Sequence, residues 1–200
     1  MSNTQIKVIA FDVFGTLAKI KQKISPYKNF ILWLHTQGHT PQASDAVMVM
    51  SINGDFQDIA AHLGYQIPQD FLDELNAELA AELAEIELFA DTLPTLQQLK
   101  NKGYKIVLCS NSATPYGMHI SKLMKDIDVY AWSYEVHACK PDPIIYQYFI
   151  DQLHCTAEEV LFIGDTPLAD VQGPTAFGMS AKLINRKNGQ SLHDVLGDYL

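Results

Sequence analysis

Two hundred residues, 48% of them hydrophobic, are enough to bury one core of ordinary size, and this length suits one main domain carrying an insertion. A net charge of −9 argues against general nucleic-acid binding, which needs concentrated Lys and Arg, and no run of about 18 apolar residues marks a membrane span. Cys109, Cys139 and Cys155 are odd in number and lack CxxC spacing, which speaks against a disulfide framework or zinc site; with no signal-peptide pattern ahead of the first strand, a cytoplasmic protein is expected.

The chain begins with a short apolar, β-branched run over residues 6–11 that ends in Asp12 and a Gly15-Thr16 turn, the pattern of a buried strand delivering a loop. The next stretch, residues 20–88, is different in kind. It contains no convincing strand and reads as four helices, near 26–37, 41–50, 55–63 and 69–88. In the last of these Leu72, Leu75, Leu79, Leu83 and Ile86 recur at spacings of three and four. The segment from Lys21 to Leu88 carries ten carboxylates against three lysines, so it forms an acidic unit.

From residue 89 onward helices and strands alternate. A helix from Thr92 to Lys102, closed by Gly103, precedes a strand over 104–109, and a helix over Pro115–Met124 precedes a strand near 127–133. Asp142 is the expected N-cap of a helix to Leu153 with Pro143 at its first position, and Thr156 with Glu159 makes a capping box before a strand over 160–164. A helix over Asp170–Phe177, closed by Gly178, and a strand over 179–184 complete the pattern. Such alternation implies an α/β fold, a Rossmann-like parallel sheet covered on both faces, with chemistry at the carboxyl ends of its strands. The expected division is a catalytic core of residues 1–19 and 89–200 with a helical insertion of residues 20–88. Trp33 and Trp132 are assigned to packing, as is Tyr146.

Four motifs fall at the ends of four successive predicted strands: Asp12-Val13-Phe14-Gly15-Thr16, Ser110-Asn111, Lys140-Pro141-Asp142-Pro143, and Gly164-Asp165 followed by Asp170. Each alone is weak. In this order and context they resemble the haloacid dehalogenase superfamily over nearly the whole chain, and the insertion resembles the family's helical cap placed behind the nucleophile loop. The resemblance implies a magnesium-dependent hydrolase that acts on a small phosphorylated molecule through a phosphoaspartate on Asp12, with neither nucleic acid nor membrane as partner.

The chemistry suits those residue types. A carboxylate on an exposed loop attacks phosphorus to form an acyl phosphate that water then opens. Asp12, Asp165 and the main-chain carbonyl of Phe14, with Asp170 as a further or supporting ligand, make an oxygen donor set for magnesium. Lys140 is the expected counter-charge, the Ser110 hydroxyl and neighbouring Asn111 the expected holders of phosphate oxygens, and Thr16 the residue that orients the loop. Phe14 is also assigned to the substrate side. Plainer roles stay open: Ser110 as a turn cap, Asp170 as a helix N-cap, Lys140 as a surface lysine, and Gly15 and Gly164 as turn formers.

One position departs from the phosphatase pattern. Two residues after the nucleophile such enzymes carry a second Asp that protonates the leaving alcohol, and this chain has Phe14. General acid catalysis is worth about 10² to 10⁴ in rate, so an unactivated alkyl phosphate should be a poor substrate unless His35, His39 or His62 substitutes, or the leaving group is a better one, as in an acyl or aryl phosphate. The aromatic at 14 and Tyr146 also resemble the true dehalogenase branch, in which Asp displaces halide without metal. That branch uses an arginine from the inserted segment, whereas the one arginine here is Arg186, and Gly164-Asp165 with Asp170 resembles the magnesium-binding form. Phosphate chemistry is therefore the first expectation, dehalogenation the second, and a catalytically weak relative with a binding role the third.

Overall fold

The computed structural model describes residues 5–200, so residues 1–4 of the expected core lie outside the described residues. Five strands build one parallel sheet: β1 (Val8–Phe11), β4 (Lys105–Ser110), β5 (Val129–Trp132), β6 (Val160–Gly164) and β7 (Ser180–Leu183), in the order β5-β4-β1-β6-β7. The first strand is central, with Phe11 opposite Leu108 on one side and Ile163 on the other. Successive side chains of a strand point to opposite faces, and the core divides accordingly. Ile9, Phe11, Ile106, Leu108, Leu161 and Ile163 join one apolar cluster, and Val8, Ala10, Val107, Cys109, Val160 and Phe162 join the other. Burial on both faces explains why β1 reads as a continuous apolar run.

Helices α5 (Thr92–Asn101) and α6 (Thr114–Leu123) contribute Leu96, Leu99 and Ile120 to the first cluster. The second face is covered by α8 (Pro143–Leu153) through Ile145, Tyr146, Phe149 and Ile150, with Phe177 of α9 (Gly173–Phe177) packed against them. The Asp142 side chain accepts from the Ile144 N–H at 2.9 Å, and the Thr156–Glu159 capping box forms. Trp132 is buried, whereas Trp33 is half-buried and packs on Phe30 and Phe71. A short α7 (Ser133–Val136) and the C-terminal α10 (Leu192–Leu196) add to the expected elements.

Between β1 and α5 the chain forms α1 (Pro26–Thr36), α2 (Asp45–Ser51), α3 (Phe56–His62) and α4 (Gln69–Ala84). Two expectations need correction here. The last helix stops at Ala84, and residues expected to continue it form β3 (Ile86–Leu88), antiparallel to β2 (Ala18–Ile20). Lys19 and Lys21 both pair with Glu87 across this ribbon, so the strand is fixed by partners distant in sequence, and Ile86 is buried as a strand residue. The second helix starts at Asp45 instead of residue 41, because the Asp45 carboxylate accepts from the Gln42 N–H at 3.1 Å and holds the preceding residues in a turn. A third correction concerns Asp170: it lies inside a wide helical turn of π type, Pro167–Gln172, rather than at the start of a helix.

The four helices rest on the sheet domain through the end of α2 and the residues after it. The Ser133 hydroxyl donates to the Met50 carbonyl at 2.6 Å, His137 Nδ1 lies 3.0 Å from the Ser51 carbonyl, and the Gly54 N–H donates to Thr114 Oγ1 at 3.0 Å. Their apolar residues, among them Phe30, Leu34, Phe56, Ile59 and Leu75, are continuous with the first core cluster.

Candidate active site

Four strand ends and the loops that follow them converge on Asp12, the first residue beyond β1, whose N–H donates to the Ile163 carbonyl at 2.9 Å. The Asp12 carboxylate is buried, and Lys140 reaches it from the loop before α8 with Nζ 2.8 Å from Oδ1. The same ammonium lies 2.6 Å from Asp170 Oδ1 and 5.2 Å from the centroid of the Phe162 ring. Lys140 is thus a buried bridge between two carboxylates, not a surface lysine. Asp165 completes the cluster: carboxylate oxygens of Asp12, Asp165 and Asp170 all lie within 4.8 Å of one another.

The surrounding residues hold these groups in place. Asp170 Oδ2 accepts from the Thr166 N–H at 2.9 Å, which leaves its other oxygen for Lys140. Gly15 has a φ of 94°, and a Cβ there would overlap the Asp165 carboxylate; a Cβ on Gly164 would overlap Asp170. Both glycines therefore let the Asp12 loop and the carboxylates approach closely. Thr16 is fully buried, with its hydroxyl 3.4 Å from Asp12 Oδ2. Ser110 ends β4 beside this loop and is buried. Asn111 is engaged differently from a residue free to bind substrate: its Nδ2 donates to the Lys140 carbonyl at 2.9 Å and its Oδ1 accepts from the Lys140 N–H at 2.7 Å. It clamps the backbone that presents the lysine.

Electrostatics follow from burial and from three acids facing one base. Burial raises the Asp12 carboxyl to about 6, with Lys140 opposing and Asp170 adding to the rise. Burial pulls the Lys140 ammonium down, but Asp12 and Asp170 together more than reverse this, so it stays charged. One ammonium cannot neutralise three carboxylates, and an all-oxygen donor set of this kind suits a hard divalent cation.

A model of the family described as haloacid dehalogenase-like hydrolase matches residues 6–178. The chain belongs to this family. It is therefore a hydrolase, within a family whose members include phosphatases and dehalogenases. It is 30% identical over 116 residues to (S)-2-haloacid dehalogenase 4A of Burkholderia cepacia, a match covering 56% of this chain and 50% of that protein, so it spans about half the length of that relative. It is 27% identical to pyrophosphatase PpaX of Bacillus mycoides over 86% of this chain and 80% of that one. In structure it resembles the family enzyme bt-2542 of Bacteroides thetaiotaomicron, described in complex with magnesium and inorganic phosphate, with a TM-score of 0.63 at 18% identity over 94% of this chain and 97% of that one. No helix among the described residues is long and apolar enough to cross a membrane.

Phe14 stands at the border between the charged cluster and a second region. The Phe14–Gly15 peptide adjoins Asp165, while the ring meets Tyr116 edge-on at 6.0 Å between centroids. Beyond it lies a cavity of about 420 Å³ walled by β2, α1, α2, α4 and the start of α6. None of the candidate histidines lines it. His35 and His39 instead place Nε2 2.8 and 3.0 Å from the two oxygens of Asp45, and His62 is exposed at the end of α3.

Two supports of the site had no signal at the level of sequence motifs. Arg186 donates from Nε to the Thr16 carbonyl at 2.9 Å and makes a two-pronged pair with Asp91 at 2.8 and 2.9 Å, tying the Asp12 loop to the start of α5. Glu82, buried on α4, accepts from Tyr116 Oη and from the Ser25 N–H at 2.6 Å each, and also from the Ile24 N–H.

Proposed function

We propose that this hydrolase is a magnesium-dependent phosphatase of a small activated phosphate, with Asp12 as nucleophile. The observation that carries the reading is the buried bridge of Lys140 between Asp12 and Asp170, with Asp165 in the same cluster. Halide displacement from carbon has no use for three convergent carboxylates. Its need for an arginine in the cleft is also unmet here, since Arg186 is spent on Asp91 and the Thr16 carbonyl.

In this reading the Asp12 carboxylate attacks phosphorus, the bond to the leaving oxygen breaks, and the leaving group departs as its anion. Water then attacks the phosphoaspartate, releasing inorganic phosphate and restoring Asp12. Lys140 holds Asp12 in place and offsets charge on the transferring group, while Ser110 and nearby backbone N–H groups hold phosphate oxygens. Asn111 and Thr16 keep Lys140 and the loop aligned. Magnesium held by Asp12, Asp165, Asp170 and the Phe14 carbonyl would draw the negative charges of nucleophile and phosphate together; the magnesium and phosphate named for bt-2542 support this assignment. Residues 20–88 act as a cap over the cleft, hinged on the β2–β3 ribbon.

The test is a panel of acetyl phosphate, 4-nitrophenyl phosphate, glycerol phosphate and 2-chloropropionate, each with and without magnesium. The reading expects metal-dependent phosphate release from the first two, lost in Asp12→Asn. Chloride release that survives a chelator would replace it with dehalogenation, the chemistry named for the Burkholderia cepacia relative.

A further inference from the structure

We propose that the cavity beside Phe14 receives an aromatic leaving group, which makes the substrate an aryl phosphate; this rests on the phosphatase reading above and narrows it. The cavity adjoins the charged cluster, because Phe14 of the loop after β1 and Asn111 of the loop after β4 both line it. Its walls are apolar, built from Phe14, Ile31, Leu32, Val49, Met50 and Tyr116. A volume of about 420 Å³ falls within the roughly 300 to 1,000 Å³ usual for small-molecule sites.

Most polar groups in the wall are already engaged by the protein; the exception is the Tyr27 hydroxyl, which is buried without a hydrogen-bond partner. Glu82 accepts from Tyr116 and from the Ser25 and Ile24 N–H groups, the Asn111 amide is spent on the Lys140 backbone, and the Ser112 hydroxyl donates to the Ala113 carbonyl at 3.2 Å. A sugar or polyol leaving group would lose the hydration of several hydroxyls on entering and find one buried hydroxyl, that of Tyr27, to replace it, whereas an aromatic ring has no such hydration to lose. Among the charged lining residues, Lys23 and Lys28 stand exposed at the rim, where they suit the anionic charge of an arriving phosphate.

The second, independent line is chemical. With Phe14 in place of a proton donor, the enzyme favours a leaving oxygen that departs without protonation. A phenolate does this and an alkoxide does not. The side chain that removes the acid is also part of the apolar wall, so a single substitution both selects the leaving group and packs against it.

The experiment has two arms on the full chain. In the first, wild type, Leu32→Gln and Ile31→Asn are titrated by calorimetry with 1-naphthylmethylphosphonate and with methylphosphonate, in the presence of magnesium. Wild type should prefer the naphthyl compound by roughly tenfold or more, and each variant should lose most of that preference. Leu32 is half exposed, so its change leaves folding intact, and Leu93→Gln on the remote α5 serves as control with the preference kept. In the second arm the kcat/KM ratio of 2-naphthyl phosphate to acetyl phosphate should fall by a similar factor in Leu32→Gln. Equal affinities in wild type, or a preference indifferent to both cavity substitutions, would overturn the cavity assignment. Selective naphthyl binding with no turnover of any phosphate would leave the assignment standing and reject the phosphatase reading instead.

Discussion

The two sides of Phe14 solve opposite problems. On the sheet side every polar atom needs a partner: three carboxylates and one ammonium converge, and Asn111, Thr166 and Arg186 fix the backbone or carboxylates around them. On the helical side the wall needs mainly shape, and its buried carboxylate Glu82 is satisfied internally. Buried charge makes the first region intolerant of substitution, since removing one partner strands another. The second region is tolerant in stability and sensitive in selectivity. The division suggests that reactivity resides in the sheet-end loops and substrate choice in the insertion.

The largest effect should come from the charged side. Lys140→Met removes the ammonium while keeping most of the side chain's bulk, so Asp12 and Asp170 face each other unshielded; a stability loss of about 3 to 5 kcal/mol by urea titration and a fall of at least roughly 10²-fold in kcat are expected. A variant with near-normal stability would show that the bridge is dispensable. Phe14→Asp crosses the border between the regions. It should raise glycerol phosphate turnover by about 10²-fold by restoring a proton donor, and weaken the preference for aromatic ligands. No gain on any alkyl phosphate would mean that the ring does more than replace an acid.

Arg186→Lys is expected to act more gently. Lysine cannot reproduce the two-pronged contact with Asp91 and the bond to the Thr16 carbonyl together, so kcat should drop by roughly tenfold with KM little changed, alongside a stability loss of about 1 to 3 kcal/mol. A change in KM alone would place Arg186 on the substrate side. The smallest effect belongs to the helical side. Hydrogen bonds from His35, then His39, lower the Asp45 carboxyl to about 2. Stability from this shift is present above the ordinary carboxylate pKa near 4 and is lost as pH falls toward 2. Asp45→Asn should therefore be less stable than wild type by about 1 kcal/mol at pH 6, and the gap should close in acid. A gap that is constant with pH would contradict the assignment.

Much of this was legible from sequence, and the exceptions share a cause. The sheet strands are buried on both faces and read as unbroken apolar runs; Asp12 and Asp165 follow two of them directly and Ser110 ends a third, so the sheet order places these together, while Lys140 comes from the loop between α7 and α8. The β2–β3 ribbon was hidden because its strands are three residues each, and Ile86 continues the helical spacing of Leu75, Leu79 and Leu83. The Asp45 and Arg186 contacts rest on side-chain directions that periodicity does not encode; Arg186 meets Thr16 across 170 positions of sequence. Asn111 stood in the expected place, but only the fold reveals that its amide faces the Lys140 backbone.

The central claim is that Asp12 becomes phosphorylated during turnover. Its most direct test is rapid acid quenching of the enzyme with acetyl phosphate and magnesium, followed by peptide mass spectrometry. The account predicts a hydroxylamine-labile phosphoryl group on the peptide containing Asp12, absent from Asp12→Asn and from chelator-treated enzyme. Phosphate release from wild type with no such adduct, or with the adduct on another residue, would contradict it.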